Sequence, residues 1–255
     1  LAKFWTPESG FEKDRWDSFN ESILMYIFAI GSPTYPIPVS TWHQITRPVR
    51  SNYIFISEES LISYTLPHIW LNLKGKEDFY SNYWANTILA IRYNRIFSVL
   101  RNLKMHGSPV DFWGLSICED PGGYRIHGAS EMYYYGVLSP HAVISCIPFA
   151  PDESLKSLRE VLRQYKGLVW KEYGFTSGYS ITDRWVSNNY YSILQGIQLL
   201  AIENYRTGLV WKYISCNDRI KHSLDSIGFF KSRTHQAITP AYFNMIKDMH
   251  YLWDF

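Results

Sequence analysis

Residues 81–106 read S-N-Y-W-A-N-T-I-L-A-I-R-Y-N-R-I-F-S-V-L-R-N-L-K-M-H, and apolar side chains recur in this stretch at a helical spacing. Residues three and four positions apart lie on the same side of a helix. Gly107 and Pro109 follow, and both residue types end helices. The stretch therefore predicts a long helix whose shared apolar face is formed by Trp84, Ile88, Leu89, Ile96, Phe97, Leu100 and Leu103.

Other segments repeat this pattern and predict helices over 15–31, 151–165 (closed by Gly167), 187–206, 217–228 (capped by Asn217 and ended by Gly228) and 239–255 (opened by Thr239-Pro240). Two shorter helices are predicted, one capped by Ser40 and one from Ser139-Pro140 to Cys146. Residues 51–75 are predicted to be mostly irregular, and strand signal is confined to short arms. The pattern predicts an all-α single domain over 1–255, with loops between helical hairpins gathered on one side.

Composition narrows the functional classes. Across 255 residues the formal net charge is +2 and no block of like charges occurs, so no nucleic-acid partner is predicted. The three cysteines are widely spaced, which predicts neither a disulfide framework nor a metal site, and no cofactor is predicted. The longest apolar run, Ile23 to Ile30, is far shorter than the roughly 20 residues that span a bilayer.

Aromatic residues make up 17% of the chain. Aromatic rings stack on flat apolar faces while their polar tips form hydrogen bonds, which suits a groove that binds sugars. An ordinary aromatic core would give the same composition, so both interpretations stay open here.

Residues 109–135 hold a concentration of polar groups. Glu119 and Asp120 precede a Pro-Gly-Gly reversal that excludes a helix. Asp111, Arg125, His127 and Glu131 lie within a dozen residues of them. Polar groups on a loop held by a rigid scaffold are a common way to build a site. The alternative is a solvated hairpin whose acids face water.

Several motifs occur in an order that is familiar from a known family. They are F-N-E-S-I-L-M-Y-I-F-A-I-G-S-P-T-Y-P-I-P (19–38), H-I-W-L (68–71), W-G-L-S (113–116), P-G-G-Y (121–124), I-P-F-A-P (147–151), Y-G-F (173–175), W-V-S-N-N-Y (185–190), Q-G (195–196) and I-E-N-Y-R-T-G-L-V-W (202–211). Together they resemble the glycoamylase-like family of glycoside hydrolases, which includes bacterial endo-β-1,2-glucanases. The resemblance covers about residues 11–230 and leaves 231–255 as a C-terminal helical extension.

The resemblance implies an (α/α) toroid of six helical hairpins around an acidic, aromatic-lined pocket. It implies a bacterial enzyme, secreted or periplasmic, that acts on a β-glucan polysaccharide or oligosaccharide as a monomer. The family domain usually extends further on its N-terminal side, so the chain resembles its C-terminal portion. Two alternatives stay open: the ring is incomplete, or its first helices lie on a segment that this sequence does not include.

The sequence also departs from the family. Acidic family positions are occupied by Asn72, Tyr134 and Tyr135, Ser177 and Leu194. The Glu119-Asp120 pair falls where the family tends to have Asp-Gly. These replacements imply a changed substrate, a changed mechanism or a loss of catalysis.

Glycoside hydrolysis needs one protonated carboxyl group and one ionised carboxylate on either side of the scissile bond. Glu21, in the family-like F-N-E motif, is the first candidate for the acid. Its alternative role is a capping box with Ser18. Glu119 and Asp120 are candidates for the partner. Glu203 is a candidate binding residue, or else a structural partner of Arg206.

The remaining candidate binding residues are aromatic rings for stacking and polar groups for sugar hydroxyls. Core packing is the alternative for each ring, and a structural role is the alternative for His127. The set comprises Trp113, Tyr124, Trp185, Tyr190, Arg125, His127, Glu131, Asn188 and Gln195.

Three hypotheses follow. The first is a glycoside hydrolase of the β-1,2-glucanase type that uses carboxylate acid/base catalysis. The second is a non-catalytic carbohydrate-binding or scaffold protein on the same toroid. The third is a partial domain that folds poorly alone and exposes apolar patches.

Overall fold

The computed structural model describes residues 1–106 and 111–232. In these residues the helices are α1 (Ile23–Ile30), α2 (Ser40–His43), α3 (Leu61–Trp70), α4 (Tyr83–His106), α5 (Pro140–Ser145), α6 (Pro151–Val169), α7 (Ser192–Arg206), α8 (Leu209–Ser215) and α9 (Asp218–Ile227). The fold is mostly helical, as the sequence predicts. The ring arrangement of the toroid stays a prediction.

The strands of the described residues are two or three residues long and form antiparallel pairs. The pairs are Trp5–Thr6 with Gly10–Phe11, Val49–Arg50 with Tyr53–Ile54, Lys76–Glu77 with Phe230–Lys231, Cys118–Asp120 with Gly123–Arg125, Val137–Leu138 with Tyr179–Ser180, and Trp170–Lys171 with Gly174–Phe175. Each sheet of the described residues has only two strands, which connect segments between helices and do not form a separate layer.

The core is built around helix α5. Every residue of α5 is buried, and the helix packs against α3, α6 and α7. Helix α3 in turn contacts α4 and α8, while α1 contacts α9. Helices α6 and α9 are amphipathic: each buries one stripe and exposes charged residues on the other side, as expected for helices that flank a buried layer.

Helix α9 shows why its limits fall where they do. The Asn217 side chain accepts hydrogen bonds from the backbone amides of Arg219 (3.0 Å) and Ile220 (3.4 Å), which satisfies two amides that have no partner inside the helix. Gly228 follows with φ of 91°, a left-handed conformation that favours glycine and ends the helix. The predicted cap and stop of this segment are therefore confirmed.

Other sequence predictions need correction. About half of residues 51–75 are irregular as predicted, but the prediction missed helix α3, which lies inside this stretch. Helix α6 continues past Gly167 to Val169, and Ser40 is the first residue of α2 rather than its cap. Helix α8 has no counterpart among the predicted helices. The predicted helix 239–255 and the stop at Gly107 and Pro109 lie outside the described residues.

Two predicted helices begin later than expected, since their first residues are held in other contacts. Helix α1 begins at Ile23 rather than at residue 15, because the Trp16 amide bonds Leu1 O (2.8 Å) and the Phe19 amide bonds Thr46 O (2.8 Å). Helix α7 begins at Ser192 rather than at 187. The segment before it contacts the loop after α6 instead, because the Ser187 amide donates a hydrogen bond to Gly178 O (2.9 Å).

An apolar groove lies along α6 and α7, next to the turn between Trp170 and Phe175. Its volume is about 560 Å³. Leu199, which lines it, is 67% exposed, and Tyr205 is 49% exposed. An exposed apolar surface of this kind marks an interaction site or a tendency to associate, as the third hypothesis expects of a partial domain.

Candidate functional site

The amino-terminal ends of several helices lie together. At the start of α3 the Leu61 amide donates to Leu115 O (3.1 Å). At the start of α5 Ser139 donates through its amide to Gly114 O (2.9 Å) and through Oγ to Ser177 O (3.0 Å). Residues 114–115 therefore contact the starts of both α3 and α5. Ser177 connects the start of α5 with that of α7, because its amide also donates to Asn189 O (3.1 Å), just before α7.

Helix α1 begins at the same place. The ring of Phe19, four residues before α1, lies with its centroid 6.3 Å from that of Tyr64 in the first turn of α3. Helix amino termini carry partial positive charge and favour negative groups nearby. Glu21 and Glu58-Glu59 lie directly before α1 and α3. Glu119-Asp120 lie in a hairpin whose following residues reach the same turn, since the Ala129 amide donates to Glu59 O (3.2 Å). Acid-bearing segments therefore converge on one face of the helical layer.

Glu119 lies in the hairpin formed by Cys118–Asp120 and Gly123–Arg125. Its amide donates to Ser177 Oγ (3.0 Å), and its carboxylate accepts hydrogen bonds from Ser187 Oγ and from Asn189 Nδ2 (2.6 Å). These contacts fix the half-buried carboxylate of Glu119 on the segment before α7. The solvated alternative therefore does not describe Glu119.

Asp120 is buried and turns toward the other strand of the hairpin. Its Oδ2 lies 2.9 Å from Arg125 Nε and 3.7 Å from Nε2 of the buried His127, while Oδ1 accepts the Gly122 amide at 2.6 Å. Burial lowers the pKa of His127 to about 4, although the nearby Asp120 acts in the opposite direction. His127 is therefore neutral near pH 7, and Arg125 supplies the positive charge next to Asp120.

Aromatic rings flank this hairpin. Tyr124, opposite Glu119 in the strand register, packs against Tyr191 with ring centroids 4.4 Å apart. Tyr124 is 41% exposed, and partial burial raises its pKa, with a smaller contribution from Cys118. Tyr135 lies on the other side, where the Arg125 guanidinium is 5.2 Å from its ring centroid. Tyr124 is the predicted stacking residue that the structure brings to the acidic hairpin.

Glu21 is placed in the turn immediately before α1. The residue that caps α1 is Ser22, so the alternative capping box with Ser18 is not formed. One carboxylate oxygen of Glu21, Oε2, is buried and has no hydrogen-bond partner among the described residues. Among the described residues, no hydrogen bond or ion pair joins Glu21 to Glu119. That the two carboxyl groups line one cavity stays a prediction.

A polar cleft of about 460 Å³ opens beside the approaches to α1 and α3. Its lining mixes charged, amide and aromatic groups. Asp17 and Asn20 come from the segment before α1, and Glu58 comes from the segment before α3. The other lining residues are Lys3, Arg15, Trp16, Ser18, Phe19, Pro48, Phe55, Ile56 and Ser57.

Sequence reasoning missed Glu59, which is the most buried acid of this face. It is 2% exposed, and its carboxylate accepts hydrogen bonds from Arg50 Nη2 (2.5 Å), Tyr53 Oη (2.8 Å) and Tyr64 Oη (2.8 Å). Burial raises the pKa of Glu59 to about 7, although Arg50 and the two hydroxyls oppose that shift. Two adjacent glutamates before an apolar run look like a solvated turn, so the sequence carried little signal for this role.

Several predicted binding residues lie elsewhere. Trp113 is fully buried and packs in the core, which excludes the predicted stacking role. Gln195 donates to Phe175 O (2.7 Å) and lines the apolar groove instead of the acidic face. The Glu131 carboxylate is paired with Arg101.

The others are placed on loops and on α7. Asn188 accepts a hydrogen bond from Lys171 Nζ (2.6 Å), and the Tyr190 ring lies 5.4 Å from that of Tyr173. Trp185 is half-buried, and its backbone oxygen accepts the Ser180 amide at 2.8 Å. Glu203 accepts a hydrogen bond from Thr207 Oγ1 (2.5 Å), so the predicted alternative pairing with Arg206 is not formed in the described part of the chain. The predicted binding set therefore divides between the acidic face and other surfaces.

The positions predicted to depart from the family have structural partners. Ser177 accepts the Glu119 amide, and Leu194 is buried in α7. Tyr134 packs on Phe97 with ring centroids 5.6 Å apart, and Asn72 accepts the Lys74 amide at 3.2 Å. These side chains now stabilise loops and helices.

Within residues 1–106 and 111–232, no group of three or more His, Cys, Asp and Glu side chains is arranged to hold a metal ion.

None of the helices in the described ranges combines the length and the apolar character that crossing a bilayer requires.

Known proteins are similar to this chain in sequence and in fold. The family model described as "Putative glucoamylase" matches residues 13–218. The exo-β-1,2-glucooligosaccharide sophorohydrolase (non-reducing end) of Parabacteroides distasonis is 22% identical over 89% of this chain and 36% of the relative. The endo-β-1,2-glucanase of Chitinophaga pinensis, solved with sophorotriose and glucose, is 26% identical with a TM-score of 0.83 over 90% of this chain and 59% of that one. The chain thus spans about a third to three fifths of the length of these relatives.

Proposed function

The chain belongs to the glycoamylase family of the matching model, and from this premise we propose that it is a glycoside hydrolase that acts on β-1,2-linked glucan. The two relatives described above are β-1,2-glucan hydrolases by name. The observation that carries the proposal is the convergence of acid-bearing segments at the starts of α1, α3 and α5.

The proposed mechanism uses two carboxyl groups. One protonates the oxygen of the leaving sugar, and the other, ionised, activates water or attacks the anomeric carbon. We assign the first role to Glu21, whose buried Oε2 has no partner among the described residues. We assign the second role to Glu119. Ser187 and Asn189 donate hydrogen bonds to its carboxylate, which favours the ionised form and fixes its orientation.

Asp120 takes a supporting role in this proposal. Its ion pair with Arg125 fixes the reversal that follows Glu119 and keeps the guanidinium beside the hairpin. Arg125 is 41% exposed in its side chain, so it is accessible to sugar hydroxyls. Tyr124 adds an exposed ring on the same strand, which suits stacking on a glucosyl unit.

The test compares the protein and its Glu21→Gln variant on linear β-1,2-glucan, with products separated by chromatography. We expect the unaltered protein to release shorter oligosaccharides and Glu21→Gln to lose roughly 100-fold or more of the rate, because the amide cannot donate the required proton. Glu172→Gln, at an exposed position in the turn after α6, is the matched control and keeps full activity.

Two outcomes would contradict the proposal. One is the absence of products under conditions in which the Chitinophaga pinensis enzyme, assayed in parallel, degrades the same glucan. The other is an unchanged rate for Glu21→Gln.

A second candidate is a non-catalytic carbohydrate-binding protein. The observation that favours it is that both carboxylates of the hairpin already have protein partners. Glu119 accepts hydrogen bonds from Ser187 and Asn189, and Asp120 forms an ion pair with Arg125. This candidate predicts that the oligosaccharide raises the melting temperature by mass action without being cleaved. It also predicts that Glu21→Gln leaves this shift unchanged.

We also propose the coarser features that the family implies. The described helices form part of an (α/α) toroid within a single domain over 1–255, and the packing of α3, α6 and α7 against the buried α5 supports this arrangement. The protein is proposed to be a monomer, and its location is proposed to be periplasmic or extracellular.

A further inference from the structure

The turn from Ile56 to Glu59 places one acid in the polar cleft and the next in the core. The turn is closed by a hydrogen bond from the Glu59 amide to Ile56 O (3.0 Å), and the Ile56 amide bonds Tyr64 Oη (2.7 Å). Glu58, at the tip, is half-buried and lines the cleft. In the part of the chain that the structure describes, its carboxylate makes no hydrogen bond or ion pair.

Glu59 holds this turn in a conformation that side-chain-bearing residues rarely adopt. Its φ is 51°, in the left-handed region, and its backbone oxygen accepts bonds from the Ala129 amide (3.2 Å) and Asn94 Nδ2 (3.3 Å). Together with the bonds from Arg50, Tyr53 and Tyr64 to its carboxylate, these contacts fix the turn from every side. Strain of this kind persists only where surrounding structure enforces it, and it clusters at functional positions.

The charges of the cleft indicate the kind of ligand that would fit. Lys3 and Arg15 balance Asp17 and Glu58, so the lining has no net charge. The half-buried Trp16 adds an aromatic surface next to these polar groups. An uncharged ligand with many hydroxyls and flat apolar faces, such as a sugar chain, matches this combination better than an anion or a cation does.

The cleft also adjoins the proposed catalytic acid, since Asn20 lines it and is the residue before Glu21. We propose that Glu58 is a substrate-binding carboxylate that accepts hydrogen bonds from glucosyl hydroxyls in the polar cleft, and that Glu59 is the positioning residue that holds it there. The inference rests on the proposed function, because it names a subsite for the same glucan.

The experiment titrates the full chain with sophorotriose and follows the Trp16 indole N–H signal by NMR, assigned through Trp16→Phe. We expect this signal to shift in the unaltered protein. Glu58→Gln should raise the dissociation constant roughly 10-fold or more, because a charge-assisted hydrogen bond is lost. Glu172→Gln, the matched surface control, should bind as the unaltered protein does.

Glu59→Gln tests the positioning role separately. The amide preserves the side-chain volume but removes the charge that Arg50 and the two tyrosines hold. We expect weaker sophorotriose binding in a variant that still unfolds cooperatively. We also expect binding to the unaltered protein to depend on pH near pH 7, and this dependence to be lost in Glu59→Gln. Unaltered affinity and an unaltered pH profile in Glu59→Gln would overturn the positioning role.

Two further results would overturn the binding role. One is an unperturbed Trp16 signal at a sophorotriose concentration that saturates other signals or reaches tens of millimolar. The other is an unchanged affinity in Glu58→Gln. If either occurs while the protein still degrades β-1,2-glucan, the subsite is refuted and the proposed hydrolase function stands. Absence of both hydrolysis and Trp16 perturbation refutes the two together.

Discussion

Gly128 shows at the scale of one residue how the two acidic segments are held together. It is buried against the Glu58-Glu59 turn, and a Cβ at this position would overlap the carbonyl oxygen of Glu58 and lie 2.7 Å from its carbonyl carbon. The neighbouring Ala129 amide bonds Glu59 O, and His127 precedes it beside Asp120. The missing side chain therefore allows the acidic hairpin and the cleft turn to meet.

Gly128→Ala is expected to destabilise the protein. The methyl group would meet backbone rather than a flexible side chain, and such overpacking costs about 1–3 kcal/mol in free energy of unfolding. Gly167→Ala is the matched control: it lies inside α6, where an added Cβ would have no heavy atom within 4 Å, so it should stabilise by about 0.5–1 kcal/mol. Chemical denaturation measures both changes, and equal stability of the two variants would contradict the close contact.

Buried histidines are predicted to make the stability of the protein depend on pH. Burial lowers the pKa of His68 and His141 to about 3 and of His127 to about 4, against about 6.5 in the unfolded chain. Their contribution to stability is present above pH 6.5 and is lost as pH falls toward the folded values, since only the unfolded chain takes up protons there.

At pH 5 the loss is about 2 kcal/mol for each such histidine. Glu59 acts in the opposite direction: its folded pKa of about 7 lies above the unfolded value, so its contribution is full below about pH 4.5 and is lost as pH rises through about 7. Urea denaturation between pH 7.5 and 5 measures the sum of these opposing contributions to the free energy of unfolding. The slope of unfolding free energy against pH should become shallower in His68→Asn, and an unchanged slope would contradict a neutral buried His68.

Helix α3 shows, at the scale of an element, where sequence patterns were insufficient. Pro67 lies inside it and removes a backbone hydrogen bond, a feature that normally ends a helix. The helix nevertheless continues to Trp70, because Leu61, Tyr64 and Ile69 are buried in the core. Tertiary burial outweighs the local cost, and the local pattern of residues 51–75 could not reveal it.

Asn217 shows an element for which local sequence was sufficient. Asn217→Ala removes the acceptor for two amides at the start of α9 and should cost about 1 kcal/mol of stability. Asn217→Asp keeps the acceptor and should retain the stability of the unaltered protein. Thermal unfolding distinguishes the variants, and equal melting temperatures for Ala and Asp would contradict the cap.

At the scale of the whole molecule, the sequence predicts the mostly helical fold and the family through collinear motifs, and both are confirmed. The candidate site is less accessible to such reasoning. Glu119 and Asp120 stand out because a Pro-Gly-Gly turn marks them, whereas the Glu59 network depends on partners from Arg50 to Asn94 that only the folded chain brings together. Trp113 and Tyr124 are both aromatic and look equivalent in the sequence, but the folded chain buries Trp113 in the core and leaves Tyr124 on the surface.

The central claim is that the face at the starts of α1, α3, α5 and α7 binds β-1,2-linked glucan. Hydrogen–deuterium exchange of the full chain with and without sophorotriose tests it most directly. We predict added protection in residues 15–22, 55–60, 118–127 and 177–191, and none along the apolar groove of α6 and α7. Protection confined to that groove, or unchanged exchange throughout at a saturating sugar concentration, would contradict the claim.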